Sequence, residues 1–191
     1  MRVLIIGGTG TISSKAAAAF EELGDEVITV GRSTEVSVDL EDPASITEMF
    51  NKVGRVDAVV TTMGSAPFVS IEDATADDFQ AGISSKMLAQ LNAVTYCLPY
   101  LNDGGSITVT TGILTQHPIP GSLIATAANA GVEGFVRAAV SSLPRGIRIN
   151  AVSPTMLEED REAFGPSFVG FKPVPGTCLL YTSPSPRDKR Q

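Results

Sequence analysis

The sequence predicts an α/β fold in which helices cover both faces of one doubly wound, parallel sheet. Short apolar runs alternate along the chain with stretches whose apolar residues have helical spacing, and the first run ends in a glycine-rich turn. Strands that alternate with helices form parallel sheets buried on both faces. A chain of 191 residues can bury one sizeable core but not two ordinary domains. We therefore expect a single three-layer domain over residues 1–177.

The first elements follow from the apolar runs. Arg2 to Ile6 is predicted to be a buried strand, and the alanine-rich stretch from Ser13 to Leu23 is predicted to be a helix. Glu26 to Val30 predicts the second strand. Val36 to Leu40 predicts a third strand, although the residues between these two runs are too few for the crossover helix that parallel neighbours need.

Two further helices have recognisable beginnings. Asp42 as N-cap and Pro43 in the first turn begin one, and its apolar residues repeat at helical spacing. Thr75, followed by acidic residues, begins a long helix to about Leu101. The residues that these helices are expected to bury are Ile46, Met49, Phe50 and Val53 in the first, and Phe79, Ile83, Met87, Leu91 and Val94 in the second.

The remaining elements complete the alternation. Strands are predicted at Val56 to Val60, Ser106 to Thr110 and Ile147 to Val152, with a helix from Ser122 to Leu143.

Composition excludes several classes of function. A formal net charge of -7 argues against nucleic acid as a partner, since phosphates require clustered cations. The sequence has no apolar run of about 18 residues, which a membrane span needs, and no signal peptide pattern at its start. Cys97 and Cys178 have no zinc-like spacing, and we predict no metal site. We expect a cytoplasmic protein that acts on a small-molecule substrate.

The final residues, 178–191, differ in character from the rest. They have no apolar periodicity and contain two Ser-Pro pairs, and the string from Cys178 to Asp188 resembles a translated transposase-type sequencing adapter. We expect natural sequence to stop near Thr177, with an ordinary disordered tail as the alternative. Either way, we predict no functional role for this tail.

The glycine-rich turn after the first strand predicts a nucleotide site. Glycines allow a backbone to approach a pyrophosphate closely, and the N–H groups and dipole of the following helix favour the anion. The alternative is a tight connection between strand and helix. The glycine-rich turn comes directly after the first strand, and this position favours the nucleotide site. The residues expected to contact the cofactor here are Gly7, Thr9, Gly10, Thr11 and Ile12.

The end of the second strand indicates which dinucleotide is bound. An NAD site usually has an acidic residue here for the ribose hydroxyls, whereas this chain has Arg32 and Ser33. A planar guanidinium suits a 2′-phosphate. We therefore predict NADP(H), with NAD(H) as the less favoured possibility, and a solvated surface arginine as the alternative.

These features resemble the short-chain dehydrogenase/reductase family over Met1 to about Glu159. The turn keeps Gly7 of the family's glycine motif, but Thr11 and Ser13 stand where the later glycines belong. Asp39-Leu40 resembles the family's acidic pair beside adenine.

Two more landmarks follow in the family's order. Thr61-Thr62-Met63-Gly64 stands where the family has Asn-Asn-Ala-Gly, and Asn150-Ala151-Val152-Ser153-Pro154 matches the stretch before the nicotinamide-side loop, with Thr155 in place of a glycine. The resemblance implies a Rossmann-like fold with Gly64 and Pro154 at the cofactor.

The family's catalytic serine, tyrosine and lysine are missing from the matching positions. Gly112 stands at the serine, Ala125 at the tyrosine and Asn129 at the lysine. Alanine offers no acidic proton, so the family's usual proton transfer cannot operate unchanged.

Four other residues are candidates for the missing roles. Lys86 stands at the family's helix asparagine and on the predicted apolar stripe, Thr111 could orient a carbonyl, and His117 is the lone histidine. Asn129 could still hydrogen-bond a ribose. The alternatives are a lysine whose amine reaches water and a solvated loop histidine.

The resemblance also implies a homo-oligomer and a longer parent. Family members pair through the helix that contains Asn129 and the long helix before it. The family's last strand should follow Phe171, so we expect C-terminal truncation to leave an exposed sheet edge and unstable folding. Three hypotheses remain: an NADP(H)-dependent oxidoreductase acting on a small carbonyl or alcohol, a non-catalytic NADP(H)-binding protein, and a protein that binds another nucleotide.

Overall fold

The computed structural model describes residues 1–177, and these form a five-stranded parallel sheet with helices on both faces. The predicted doubly wound fold is confirmed. The sheet order is β2-β1-β3-β4-β5, so the chain reverses direction across the sheet between β1 and β3, where such folds bind ligands. The expectation about residues 178–191 lies outside the described residues. The strands are β1 (Arg2–Ile6), β2 (Glu26–Val30), β3 (Val56–Thr61), β4 (Leu101–Thr110) and β5 (Arg148–Val152).

The helices fall between the strands as the sequence predicts. They are α1 (Thr11–Glu22), α2 (Pro43–Val53), α3 (Ala76–Gly82), α4 (Ala89–Cys97), α5 (Leu123–Ala139) and the short α6 (Arg161–Phe164). A π-helical turn, Ile83–Leu88, joins α3 to α4. In residues 1–177, no helix combines the length and apolar character that crossing a bilayer requires.

The core lies on both faces of the sheet. Because side chains alternate along a strand, Leu4 and Ile6 of β1 pack into the larger cluster with Phe50 of α2, while Val3 and Ile5 pack beneath α1. The predicted apolar face of α2 is fully buried, and Asp42 caps this helix by accepting the backbone N–H of Ala44 at 2.9 Å.

The predicted strand at Val36 to Leu40 is wrong. This segment makes one isolated bridge, between Gly31 and Ser37, and otherwise forms a loop that buries Val38 and Leu40 against the larger core. The connection from β2 is too short to cross over and start a parallel neighbour. The chain instead passes on to α2 and returns to the sheet as β3, on the other side of β1.

The predicted burial along the long helix is also wrong in part. Thr75 does begin the helix, in a capping box with Asp78, but Phe79 is 37% exposed. The π-helical turn inserts one residue relative to α-helical spacing, and each residue rotates the helix face by about 100°. After the turn, the buried residues of α4 are Ala89, Gln90, Ala93, Val94 and Cys97.

Cys97 lies in the core, as expected for a structural thiol. It is fully buried, and burial raises the pKa of its thiol to about 12.

Two helical glycines should respond in opposite ways to alanine. A Cβ at Gly82 would overlap Cγ2 of the buried Ile124, whereas a Cβ at Gly134 would meet only a guanidinium nitrogen of Arg137, at 3.8 Å. We expect Gly82→Ala to lower the free energy of unfolding by about 1–3 kcal/mol. Gly134→Ala should raise it by up to about 1 kcal/mol through helix propensity. Urea unfolding of both variants tests this, and equal effects would contradict the packing described.

Candidate functional site

The glycine-rich turn packs tightly against the end of β2. The backbone N–H groups of Gly7 and Gly8 both donate to the carbonyl of Val30, at 3.0 and 2.8 Å. A Cβ on Gly31 would lie 2.5 Å from Cα of Gly8, so this contact requires glycine at position 31. The packing brings the turn beside Arg32, which is exposed.

The N-terminus of α1 is open towards this turn. Its N-cap is Gly10, and no side chain caps it within the described chain. The N–H groups of the first helical turn are therefore available to an anion.

A groove of about 510 Å³ runs along these elements. It is bordered by the carboxyl ends of β1, β2 and β3 and by the loop that follows β2. Most of the residues predicted to contact the cofactor line it: Gly7, Thr9, Gly10, Arg32, Ser33, Asp39, Leu40 and Gly64.

A second cavity of about 270 Å³ adjoins the groove. Gly64 and Ser65 line both spaces, so the two are neighbours at the end of β3. The second cavity contains the other predicted residues, Ile12, Lys86, Thr111, Ala125, Asn129 and Pro154. Most of its remaining wall is apolar and includes Phe68, Phe164 and Phe168.

Two predicted residues line neither space. The hydroxyl of Thr11 donates to Oδ1 of Asp160 at 3.1 Å, which ties the start of α1 to the segment after β5. His117 packs edge-on against Phe171, with ring centroids 6.4 Å apart. Sequence reasoning placed His117 after a strand that ends at the site, but the loop leads its ring away from the cavity lining.

Lys86 reaches the cavity from the π-helical turn. A Cβ on Gly64 would lie 2.6 Å from Cα of Lys86, and Gly64 has a φ of +106°, so glycine is required for this approach. Within residues 1–177, Lys86 forms no ion pair. Lys86 is partly buried, and this partial desolvation lowers the pKa of its ammonium group.

Asn129 faces the same cavity from α5. Its side chain is almost completely buried, and Oδ1 has no hydrogen-bond partner among the described residues. A buried acceptor without a donor is unfavourable, so Oδ1 can accept a hydroxyl of a ligand. A Cβ on Gly112 would lie 3.1 Å from Nδ2 of Asn129, so the positions matching the family's serine and lysine are neighbours.

Thr111 lies at the end of β4, beside Asn129. Its hydroxyl donates to the carbonyl of Val152 at 3.3 Å, which leaves its lone pairs free to accept a hydrogen bond.

Gln90 is a site residue that sequence reasoning missed. It is fully buried one helical turn after Lys86, and its amide bonds to the ends of β3 and β4. The signal in the sequence is its spacing, since Gln90 lies seven residues after Ile83 and four before Val94, on the expected buried face, where a polar residue is unusual.

Comparison with known proteins identifies the family. The family model described as Enoyl-(Acyl carrier protein) reductase matches residues 8–171. The chain belongs to the short-chain dehydrogenase/reductase family. The description of the family model belongs to the model and does not define a substrate for this chain.

Solved structures agree over nearly the whole chain. The protein lin1944 from Listeria innocua is 42% identical, with a TM-score of 0.91 over 95% of this chain and 90% of that one. A small-chain dehydrogenase solved in complex with NADPH is 25% identical, with a TM-score of 0.82 over 95% of this chain and 90% of that one.

Curated relatives match at lower coverage. Hydroxynaphthalene reductase arp2 from Aspergillus fumigatus is 25% identical over 76% of this chain. Glucose and ribitol dehydrogenase homolog 2 from Arabidopsis thaliana is 30% identical over 57% of this chain. The matches cover 55% and 38% of those two proteins, so the chain spans about half or less of their length.

Replacing Lys86 by methionine should stabilise the fold. The unfolded chain retains the lysine proton up to its ordinary pKa of 10.5, whereas the folded chain releases it at lower pH. Between these two pKa values the unfolded state binds more protons, so the stability of the wild type rises with pH. We expect Lys86→Met to unfold at higher urea concentration than the wild type at pH 7, with the gap narrowing towards pH 10.5.

Lys172→Met is the matched control, since Lys172 is exposed and should give no such pH-dependent gap. A gap for Lys86→Met that stays constant across this pH range would contradict the burial of a charged amine.

Proposed function

We propose that the protein is an NADP(H)-dependent oxidoreductase that transfers hydride to or from a small carbonyl compound or alcohol. The observation that carries this proposal is that the groove and the cavity adjoin at Gly64 and Ser65. An extended ligand can lie with its phosphates at the glycine-rich turn and its reactive end between Lys86 and Asn129.

The residues present fit such a dinucleotide. The first turn of α1 is open to a pyrophosphate, and Arg32 at the rim of the groove suits a 2′-phosphate. The unpartnered Oδ1 of Asn129 can accept a ribose hydroxyl. The NADPH complex of the 25% identical small-chain dehydrogenase supports the choice of NADP(H).

Reduction of a carbonyl requires a hydride at carbon and a proton at oxygen. When bound, NADPH supplies the hydride. The residue predicted at the family's tyrosine position is Ala125, which has no proton to give, whereas Lys86 lines the same cavity. We propose that its ammonium group donates the proton to the carbonyl oxygen and is left as a neutral amine, which solvent then reprotonates. The lowered pKa of Lys86 makes it a stronger acid for this step.

The cavity wall favours a small apolar substrate. Phe68, Phe164 and Phe168 supply aromatic surface, and Thr111 and Lys86 supply polar groups in the same lining. The name of the hydroxynaphthalene reductase among the relatives supports an aromatic or aliphatic carbonyl compound.

A second candidate is a non-catalytic NADP(H)-binding protein. It is favoured by Gly112, Ala125 and Asn129, which together stand where the family has its serine, tyrosine and lysine. This alternative predicts NADPH binding with no turnover of any carbonyl compound, so turnover separates the two candidates.

Replacing Arg32 by alanine should discriminate between the two dinucleotides. Loss of the guanidinium should raise the Kd for NADPH roughly tenfold, because a charge-assisted contact to the 2′-phosphate disappears. The Kd for NADH should not change. Cofactor fluorescence titration measures both constants. Arg137→Ala, an exposed arginine on α5 outside the groove, is the matched control. Equal weakening for NADPH and NADH would overturn the assignment of Arg32.

The catalytic assignment is tested by turnover. With a panel of small aliphatic and aromatic ketones and aldehydes, Lys86→Met should reduce carbonyl-dependent NADPH oxidation by about 10²–10⁴-fold, the usual contribution of a general acid. NADPH should still stabilise the variant, by about 2.7 kcal/mol at 100 times its Kd. His117→Ala should retain activity because its ring lies outside the cavity lining. Loss of turnover in His117→Ala but not in Lys86→Met would transfer the role to His117.

A further inference from the structure

We propose that Gln90 is a positioning residue that holds Lys86 in the cavity by fixing the π-helical turn to the ends of β3 and β4. The structure gives the position of the Gln90 side chain whatever reaction the protein catalyses. The importance of Gln90 for turnover rests on the function proposed for Lys86.

The side-chain amide of Gln90 makes four hydrogen bonds and is completely buried. Oε1 accepts from the hydroxyl of Thr61 at 2.7 Å and from the backbone N–H of Thr110 at 3.0 Å. Nε2 donates to the carbonyl of Thr110 at 2.9 Å and to the carbonyl of Lys86 at 3.0 Å. Both Nε2 protons and both Oε1 lone pairs are therefore used.

These partners are the points where the two strands enter the site. Thr61 is the last residue of β3 and is followed by the loop to Gly64, and Thr110 is the last residue of β4 and precedes Thr111. The hydroxyl of Thr110 also donates to the carbonyl of Thr61 at 2.7 Å, so the two strand ends are bonded to each other. Gln90 thus connects the carbonyl of Lys86 to the two strand ends, which are bonded to each other.

The π-helical turn explains why such a bond is needed. A π turn replaces i→i+4 bonds by i→i+5 bonds and is rare because of its wider geometry. The bond from Gln90 gives the carbonyl of Lys86 a buried partner, and the close approach of Gly64 supports the same residue from the other side. Without the amide, the turn can relax towards an ordinary α-helix. This change would rotate Lys86 about the helix axis by about 100°, the angle between successive residues.

The test measures the pKa of Lys86 directly by NMR of the full chain containing lysine labelled with ¹³C at the ε carbon. Lys86→Met assigns the resonance. The ionisable residues that line the cavity are Lys86 and, from the segment after β5, Asp160. In Gln90→Met, which removes the amide without adding charge, the pKa of Lys86 should rise towards 10.5 because the amine moves towards water.

Thr61→Val is the matched control. It removes one buried hydrogen bond to Gln90 but leaves the bond from Nε2 to Lys86 in place. It should lower the stability to urea without changing the pKa of Lys86. Gln90→Asn, one methylene shorter, keeps an amide in the core but cannot span all four partners, and it replaces Gln90→Met if the latter does not fold. It should also raise the pKa.

An unchanged pKa of Lys86 in a folded Gln90 variant, or an equal rise in Thr61→Val, would overturn the proposal. Where the wild type turns over a carbonyl compound, the Gln90 variant should lose roughly 10²-fold in kcat with little change in the Kd for NADPH. If the wild type shows no turnover, the proposed function fails while the pKa comparison still decides the role of Gln90.

Discussion

The close approach of Gly64 to the backbone of Ser85 and Lys86 determines the geometry of the site. A Cβ at position 64 would lie within 3.0 Å of three atoms of these residues, and the φ of +106° excludes most other residues. This contact draws the π-helical turn onto the end of β3, where the groove and the cavity meet. The placement of Lys86, the adjacency of the two spaces and the role proposed for Gln90 all depend on it.

The sequence predicts the five strands of the sheet, the glycine-rich turn and most of the residues that line the groove. Each of these can be recognised from a short stretch of neighbouring residues. Gly7 follows the carboxyl end of β1, and Arg32 and Asp39 lie in the loop after β2. They line the same groove because parallel strands bring their carboxyl ends to one edge of the sheet. The failures have non-local causes. The exposure of Phe79 and the hydrogen bonds of Gln90 depend on which elements pack against the helix, and the π-helical turn over Ile83–Leu88 interrupts the single regular helix that the spacing predicts.

Lys86 is partly buried, and no counter-ion within residues 1–177 offsets the electrostatic cost of its charge. In residues 1–177, five ion pairs are formed, and none involves Lys86. A buried ammonium group is unfavourable and becomes a readier proton donor as its pKa falls. Stability and chemistry are therefore opposed at this residue: a methionine there would pack better but could neither bind an oxyanion nor release a proton.

The residues that the sequence predicts at the family's catalytic positions are grouped in the lining of the cavity. A Cβ on Gly112 would lie 3.1 Å from Nδ2 of Asn129, and Ala125 stands one helical turn before Asn129 on α5. These three residues offer the hydrogen-bonding capacity of an amide but no acidic proton. Lys86 lines the same cavity from the turn between α3 and α4. On the proposed function, the proton therefore comes from the turn that Gln90 supports, and the orientation of that turn should control the rate.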